Sequence, residues 1–405
     1  MESLTPYLLL PTAIIAGWLL GRFGSSKYTH TKASSSDLFQ DYFVGLNYLL
    51  NDEPDEAIDT FIKALEINSE TIETHLALGA LLRRRGKVDK AINVHQALLA
   101  RPNLERDFSN SVRLQLALNY IAAGLLDRAE RLLKEILDDG GEAKWDALRQ
   151  LITVYQTEKE WENAIACSSA LLKNAGFRKD PTLLGGAAHY CCEIAQLHLH
   201  NNQDAQARSE IKRAFTFERK SIRAMLLLAD LEQHQGNYKA AIKNLLRVRE
   251  VKPQFIALLL EPLASCHESL GTRADFEKLL RAMVLEDSST EAALMLVKIT
   301  NVSSGNGEAV SLLREHLEHS PSSSALIELL ELLLGGVDVN VASSLELLPN
   351  LAKAQAQVQG SSEYRCHYCG FETKNFFWMC PSCKRWDKIS PINDLLARQA
   401  TNASK

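Results

Sequence analysis

The chain has 405 residues, 46% hydrophobic and 23% charged, with eight cysteines and a net charge of -5. That length supports two or three domains with sizeable cores, and the ordinary hydrophobic and charged fractions exclude a disordered chain. The acidic balance argues against a general nucleic-acid binder, and Cys167, Cys191, Cys192 and Cys266, dispersed in helical-looking segments, show no disulfide framework, which favours a reducing compartment.

Ser3 to Gly21 carries no charge and includes Ala13-Ile14-Ile15-Ala16-Gly17-Trp18-Leu19-Leu20. Nineteen helical residues rise about 28 Å, close to the hydrocarbon thickness of a bilayer. A cleaved signal peptide is the rival reading. Against it, the one charge before the run is the acidic Glu2, and no small-x-small cleavage site follows Leu20. Arg22, Lys27 and Lys32 follow without an acidic residue before Asp37, so the positive-inside rule keeps the bulk of the chain in the cytoplasm. The expectation is a transmembrane anchor at 1–21 and a Ser/Thr-rich linker at 22–36.

From Asp37 the sequence repeats itself at 34 residues. Gly45, Tyr48, Ala57, Phe61 and Ala64 recur as Gly79, Leu82, Ala91, His95 and Leu98. Ala117, Tyr120, Gly124, Ala129, Leu133 and Ile136 take the same slots after four extra residues near Glu105–Phe108. A fourth copy gives Ile152, Tyr155, Ala164 and Leu171. After a nine-residue excess near Phe177–Gly186, the pattern resumes at Ala195, His198, Ala207, Ile211 and Ala214, and again at Ala229, Gly236, Tyr238, Ala241, Leu245 and Val248. Weaker copies run through Phe276 and Leu313.

This pattern resembles the tetratricopeptide repeat, two antiparallel helices per unit with small residues where they cross. Gly or Ala lets the backbones approach, larger slots fill the space between units, and Gly86, Gly124 and Gly236 stand where first helices stop. Pro102, Pro253 and Pro321 mark the ends of second helices. The resemblance implies an all-α superhelical solenoid over 37–319 whose concave face binds a peptide or protein. The two insertions either shape that groove or are neutral surface loops. Degenerate or capping helices and a linker are expected over 320–360.

The segment 361–405 carries the chemistry. Cys366-x-x-Cys369 and Cys380-x-x-Cys383, with ten residues between the pairs, have the spacing of a closed four-thiolate metal site. A pair of redox-active or incidental motifs is the bland alternative. Gly370 follows the first pair where a knuckle needs positive φ, and Pro381 stiffens the second. Tyr364, Tyr368, Phe371, Phe376, Phe377, Trp378 and Trp386 either complete a miniature core or dock onto the last repeats. So small a module owes much of its folding free energy to the ion, zinc or iron by ligand type. Its expected place is a cap that closes the array.

Other candidates have blander readings. His367 lies inside a knuckle whose coordination four thiolates already complete. His198 takes a packing slot that Tyr fills elsewhere, so His189, His198 and His200 do not make a second metal site. His316 and His319 read as surface residues. No phosphate loop, nucleophile elbow, zinc-protease motif or dinucleotide fingerprint appears, and nothing calls for catalysis.

The pattern Y-x-C-x-x-C-G followed by C-P-x-C-x-x-W resembles rubredoxin-like and zinc-ribbon families, although Lys384 stands where rubredoxins generally have Gly. Anchor, repeat array and paired knuckles, in that order, resemble the lipopolysaccharide assembly protein B family along the whole chain, and the four cysteines match its metal ligands. The resemblance implies a non-enzymatic adaptor at the cell inner membrane. It would present the LpxC deacetylase of lipid A synthesis to the membrane-anchored AAA+ protease FtsH and gather other lipopolysaccharide synthesis or transport proteins. It implies no nucleic-acid partner and leaves self-association open. Rubredoxin-like iron electron transfer and a nucleic-acid-binding zinc ribbon on a scaffold are the rival functions.

Overall fold

A computed structural model describes residues 72–101, 104–334 and 362–392, together with Val44 and Tyr48. The apolar run at 3–21, the linker, most of the first repeat copy, Pro102 and residues 335–361 lie outside the described residues. Among the described residues no helix is long and apolar enough to cross a membrane. The fold among the described residues is all-α apart from one small sheet: antiparallel helix pairs in series, followed by a four-cysteine cluster. The chain divides into two units, residues 1–154 and 155–405.

In the first unit, α1 (Ile72–Arg84) pairs with α2 (Val88–Leu99), and α3 (Arg106–Ala122) with α4 (Leu126–Asp139). Leu78, Leu82, Ala91 and Val94 form one core cluster, and Ile72, Leu98 and Val112 another. The repeat slots have a direct steric meaning. Gly79 lies beneath the His95 ring, and a Cβ on Gly79 would stand 2.2 Å from His95 Nε2. Only glycine admits a ring that close.

First helices end in one recurrent turn. Gly86 has φ +77° and donates to the Arg83 carbonyl, while Lys87 donates to Leu82, the paired bonds of a Schellman cap. Gly124, Gly236 and Gly271 repeat it. Asn202 does so without glycine at φ +55°, and Lys159, at φ +61°, precedes the same long bond, from the Glu160 amide to the Tyr155 carbonyl. The caps expected at Gly86, Gly124 and Gly236 are present, and the same geometry covers first helices with no glycine signal.

The second unit holds the end of α5 (Ala143–Glu158), then α6 (Trp161–Leu172), α7 (Pro181–His200), α8 (Asp204–Phe217), α9 (Ile222–His234) and α10 (Tyr238–Val251). A 3-10 turn at Pro253–Phe255 leads to α11 (Ala257–Ser269), α12 (Arg273–Asp287), α13 (Thr290–Ser303), α14 (Asn306–His319) and α15 (Ser323–Leu334). Its main core cluster joins Met225, Leu245, Phe255, Leu259, Leu263, Phe276, Leu280 and Leu296. The small slots Ala164, Ala195, Ala207, Ala229 and Ala241 are buried.

Two expectations fail here. The Phe177–Gly186 excess is neither a groove loop nor simply a surface loop, because its second half is the start of α7. Asp180 caps that helix by accepting from the Thr182 and Leu183 amides, and Pro181 occupies the first turn. The result is a helix of 20 residues. His316 is not a surface residue either. It lies on the core-facing row of α14 with Ala309 and Leu313, its Nε2 3.2 Å from Thr290 Oγ1, and burial holds its pKa below the ordinary imidazole value. His319, three positions on, is exposed as expected.

Candidate metal centre

The small sheet sets the two cysteine pairs against each other. β1 (Tyr364–Cys366) lies between β2 (Glu372–Thr373) and β3 (Ile389–Pro391), antiparallel to both. Tyr364 pairs with Thr373, and Cys366 with Ile389. The two turns are near copies. In the first, the Gly370 amide donates to the Cys366 carbonyl and the Cys366 amide to the Phe371 carbonyl. In the second, Lys384 donates to Cys380 and Cys380 to Arg385. Gly370 has φ +77° and Lys384 +57°, so Lys384 does the work of the expected glycine with a side chain attached.

All four sulfurs lie within 4.8 Å of one another. Cys366 and Cys383 sulfurs are 3.8 Å apart, and those of Cys369 and Cys380 3.7 Å. A tetrahedron with zinc–sulfur arms of about 2.3 Å has edges of about 3.8 Å, so the donor set fits one thiolate-bound ion. The Phe371 amide donates to the Cys369 sulfur, and sulfur contacts to the other three cysteines add to it; together they draw its pKa down to about 6. Cys366 and Cys380 are buried, Cys383 is half-buried and Cys369 faces solvent. His367 stays clear of the sulfurs and meets Ser390. Cys191 and Cys192 stand apart in α7, and burial pushes both thiols up to about 12.

The module's described hydrogen bonds and ring contacts dock it on α5–α7 and the 3-10 turn, short of the end of the array. Trp386 donates through Nε1 to Gln156 Oε1 at 2.9 Å and stacks on His189, ring centres 4.6 Å apart and 12° from parallel. Trp161 and Tyr190 meet the same indole edge-on, and the Tyr190 hydroxyl also donates to Gln156 Oε1. The amide of Gln156 donates to the Lys384 carbonyl at 3.0 Å. His189, 1% exposed, lies 2.8 Å from Asp387 through Nε2. Burial raises the Asp387 pKa, but the bond and charge of His189, with Lys252 and Lys388, outweigh it and hold the carboxyl below its ordinary range. Burial and the Asp387 charge push Glu218 up. Trp378 bridges His189 and Phe255, and Phe376 packs edge-on against Phe255 beside it. The seat is therefore α5 to α7 and the 3-10 turn. The expected cap at the end of the array is corrected accordingly.

Comparisons with known proteins agree on both parts. A family described as rubredoxin metal binding domain matches residues 364–391, and the tetratricopeptide repeat family matches residues 74–107. The lipopolysaccharide assembly protein B of Escherichia coli K12 is 31% identical over 390 residues, covering 96% of this chain and 98% of the relative. That of Haemophilus influenzae is 33% identical over 398 residues, with the same coverage. The chain belongs to the lipopolysaccharide assembly protein B family. Among solved structures, the C-terminal part of a repeat-containing protein from Cytophaga hutchinsonii overlays with a TM-score of 0.38 at 13% identity, covering 62% of this chain and 98% of that one.

Within this member of the lipopolysaccharide assembly protein B family, Lys384 is the residue that departs from the rubredoxin pattern. A side chain in the left-handed region costs about 1 kcal/mol relative to glycine. Lys384→Gly is expected to stabilise the module by about that much, read as slower amide exchange across residues 362–392. The seat itself was missed by sequence reasoning. Gln156, His189 and Tyr190 sit in ordinary repeat helices, and the one available signal was the surplus of module aromatics.

Proposed function

We propose that the chain is a membrane-anchored cytoplasmic adaptor that regulates lipid A synthesis by presenting the LpxC deacetylase to the protease FtsH. Relatives of its family carry the name lipopolysaccharide assembly protein B, which supports a role in lipopolysaccharide assembly. The observation that carries the adaptor reading is the seating of the four-cysteine module on α5–α7. The second unit's helices and the module there share one packed surface, with the knuckle residues Tyr368 and Arg385 turned outward. A second feature agrees: Leu76, Ala77, Ala80, Ser111, Leu114 and Gln115 line an open, mainly apolar groove of about 290 Å³ on the first helices, of a size that takes a peptide side chain or two. In this reading Cys366, Cys369, Cys380 and Cys383 hold one structural ion, with zinc favoured over iron. Residues 1–21 anchor the chain and raise its local concentration near a membrane protease.

The test is the half-life of the deacetylase in cells. Cys380→Ser, or removal of 361–405, is expected to prolong it while the array stays folded, and an unchanged half-life would count decisively against the adaptor. Removal of 1–21 is expected to keep the fold and weaken the effect. The electron-transfer reading draws on one observation, solvent at the Cys369 sulfur. A reversible iron couple in the metal-loaded protein would establish it.

A further inference from the structure

The hydrogen bonds of the second knuckle to α5–α7 come from three residues, Lys384, Trp386 and Asp387, all within four positions of Cys383, and Trp378, two residues before Cys380, adds a tilted ring contact with His189. The first knuckle is different, since Tyr368 and Cys369 face solvent. The half of the site that supplies Cys380 and Cys383 is thus the half the array grips.

We propose that Gln156, His189 and Tyr190 are positioning residues for the metal site: by gripping the second knuckle they raise its affinity for the ion, and the ion in turn locks the module onto the array. This rests on the reading that the four cysteines hold one metal ion, and goes beyond it by assigning a metal-linked role to residues of the repeats. Gln156 is the hinge of the grip. Its Oε1 accepts from both Trp386 and Tyr190, and its Nε2 donates to the carbonyl of Lys384, the left-handed residue that directly follows Cys383. His189 holds the next turn twice over, by its face on Trp386 and by Nε2 on Asp387. Arg223, buried and held by Glu193 and Gln196, places its guanidinium 5.8 Å from the same indole.

A small knuckle free in solution loses conformational entropy when it closes on an ion. A knuckle already held by the array has lost part of it, so docking lowers the cost of metal binding. Linkage then requires the reverse effect to be equally large.

The experiment uses the full chain and zinc(II) in competition with a chromophoric chelator. Gln156→Ala and His189→Ala are each expected to weaken zinc binding, and together by roughly tenfold, the middle of the usual range for coupled sites. Gln156 is half-buried at the end of α5, so its variant keeps the fold even if His189→Ala does not, and helix content by circular dichroism checks both. In the parent protein, chelation is expected to speed amide exchange at residues 186–190 of α7. Parent-like zinc affinity in the Gln156→Ala variant, or exchange in α7 that ignores chelation, would overturn the linkage and leave the metal site standing. A parent chain that binds neither zinc nor iron(II) would remove both.

Discussion

Cys380→Ser is expected to abolish the C-terminal fold and leave the helical array intact. The module's fully buried interior amounts to Cys366, Cys380 and Ile389, with Tyr364, Phe371, Phe376 and Cys383 around them. An interior of that size cannot offset the ordering of some thirty residues. Structural zinc in comparable small folds contributes about 10–16 kcal/mol of apparent binding free energy at neutral pH, which is then folding free energy. Replacing a fully buried thiolate by a hydroxyl removes one of four ligands and leaves a poor donor in its place. Native mass spectrometry should show one bound ion in the parent and none in the variant, and exchange across 362–392 should lose its protection. The array packs through its own core clusters, so the far-ultraviolet helix signal should hardly change. A variant that keeps both its ion and its protection would show that three sulfurs and the seat suffice.

The first unit is expected to lose on the order of 3 kcal/mol of stability between pH 6.5 and pH 4. His95 is fully buried, and burial, with Arg83 and His75 nearby, lowers its pKa from 6.5 to about 4 despite a backbone contact from Leu76 that raises it. The local network fixes the neutral ring. Arg83 donates to Asn119 Oδ1 at 2.7 Å, which turns the Asn119 amide toward His95 Nδ1, also at 2.7 Å. Nδ1 must then accept, and a proton placed there would meet the amide donor. The folded pKa lies below the unfolded one, so the unfolded chain takes up the proton first as pH falls. Stability from this group is complete above about pH 6.5 and is lost towards pH 4, at 1.36 kcal/mol per pK unit. Urea midpoints followed through exchange in α1–α4 should trace that slope, and His95→Gln should flatten it. A slope unchanged in the variant would assign the acid sensitivity to other groups.

What the sequence made legible was local. The 34-residue phase, the alanine slots and the glycine caps each depend on residues a few positions apart, and Gly79 beneath His95 is such a slot made visible. The four-sulfur cluster was legible because two four-residue knuckles leave the thiolates few places to go. The Asp180–Pro181 helix start was also there to be read, since a capping carboxylate followed by Pro opens many helices, yet the surplus residues looked like a loop. His316 misled because a polar side chain at a core position carries no mark of its own. The seat of the module had no local signature, because its contacts join residues on helices that no periodicity connects to the knuckles.

Those contacts carry a consequence for the order of folding. The Schellman turns join residues five positions apart or fewer, but the bonds from Gln156 to Lys384 and Trp386, and from His189 to Asp387, span 228, 230 and 198 positions. Short-range helical pairs form early and during synthesis, whereas closure over some two hundred residues waits for its last partner. Until the segment around residue 387 has left the ribosome, a nascent chain folded through Phe255 has no module to cover the aromatic shelf of Trp161, His189, Tyr190 and Phe255. Premature termination leaves that shelf uncovered, and an uncovered shelf distinguishes an unfinished chain from a completed one.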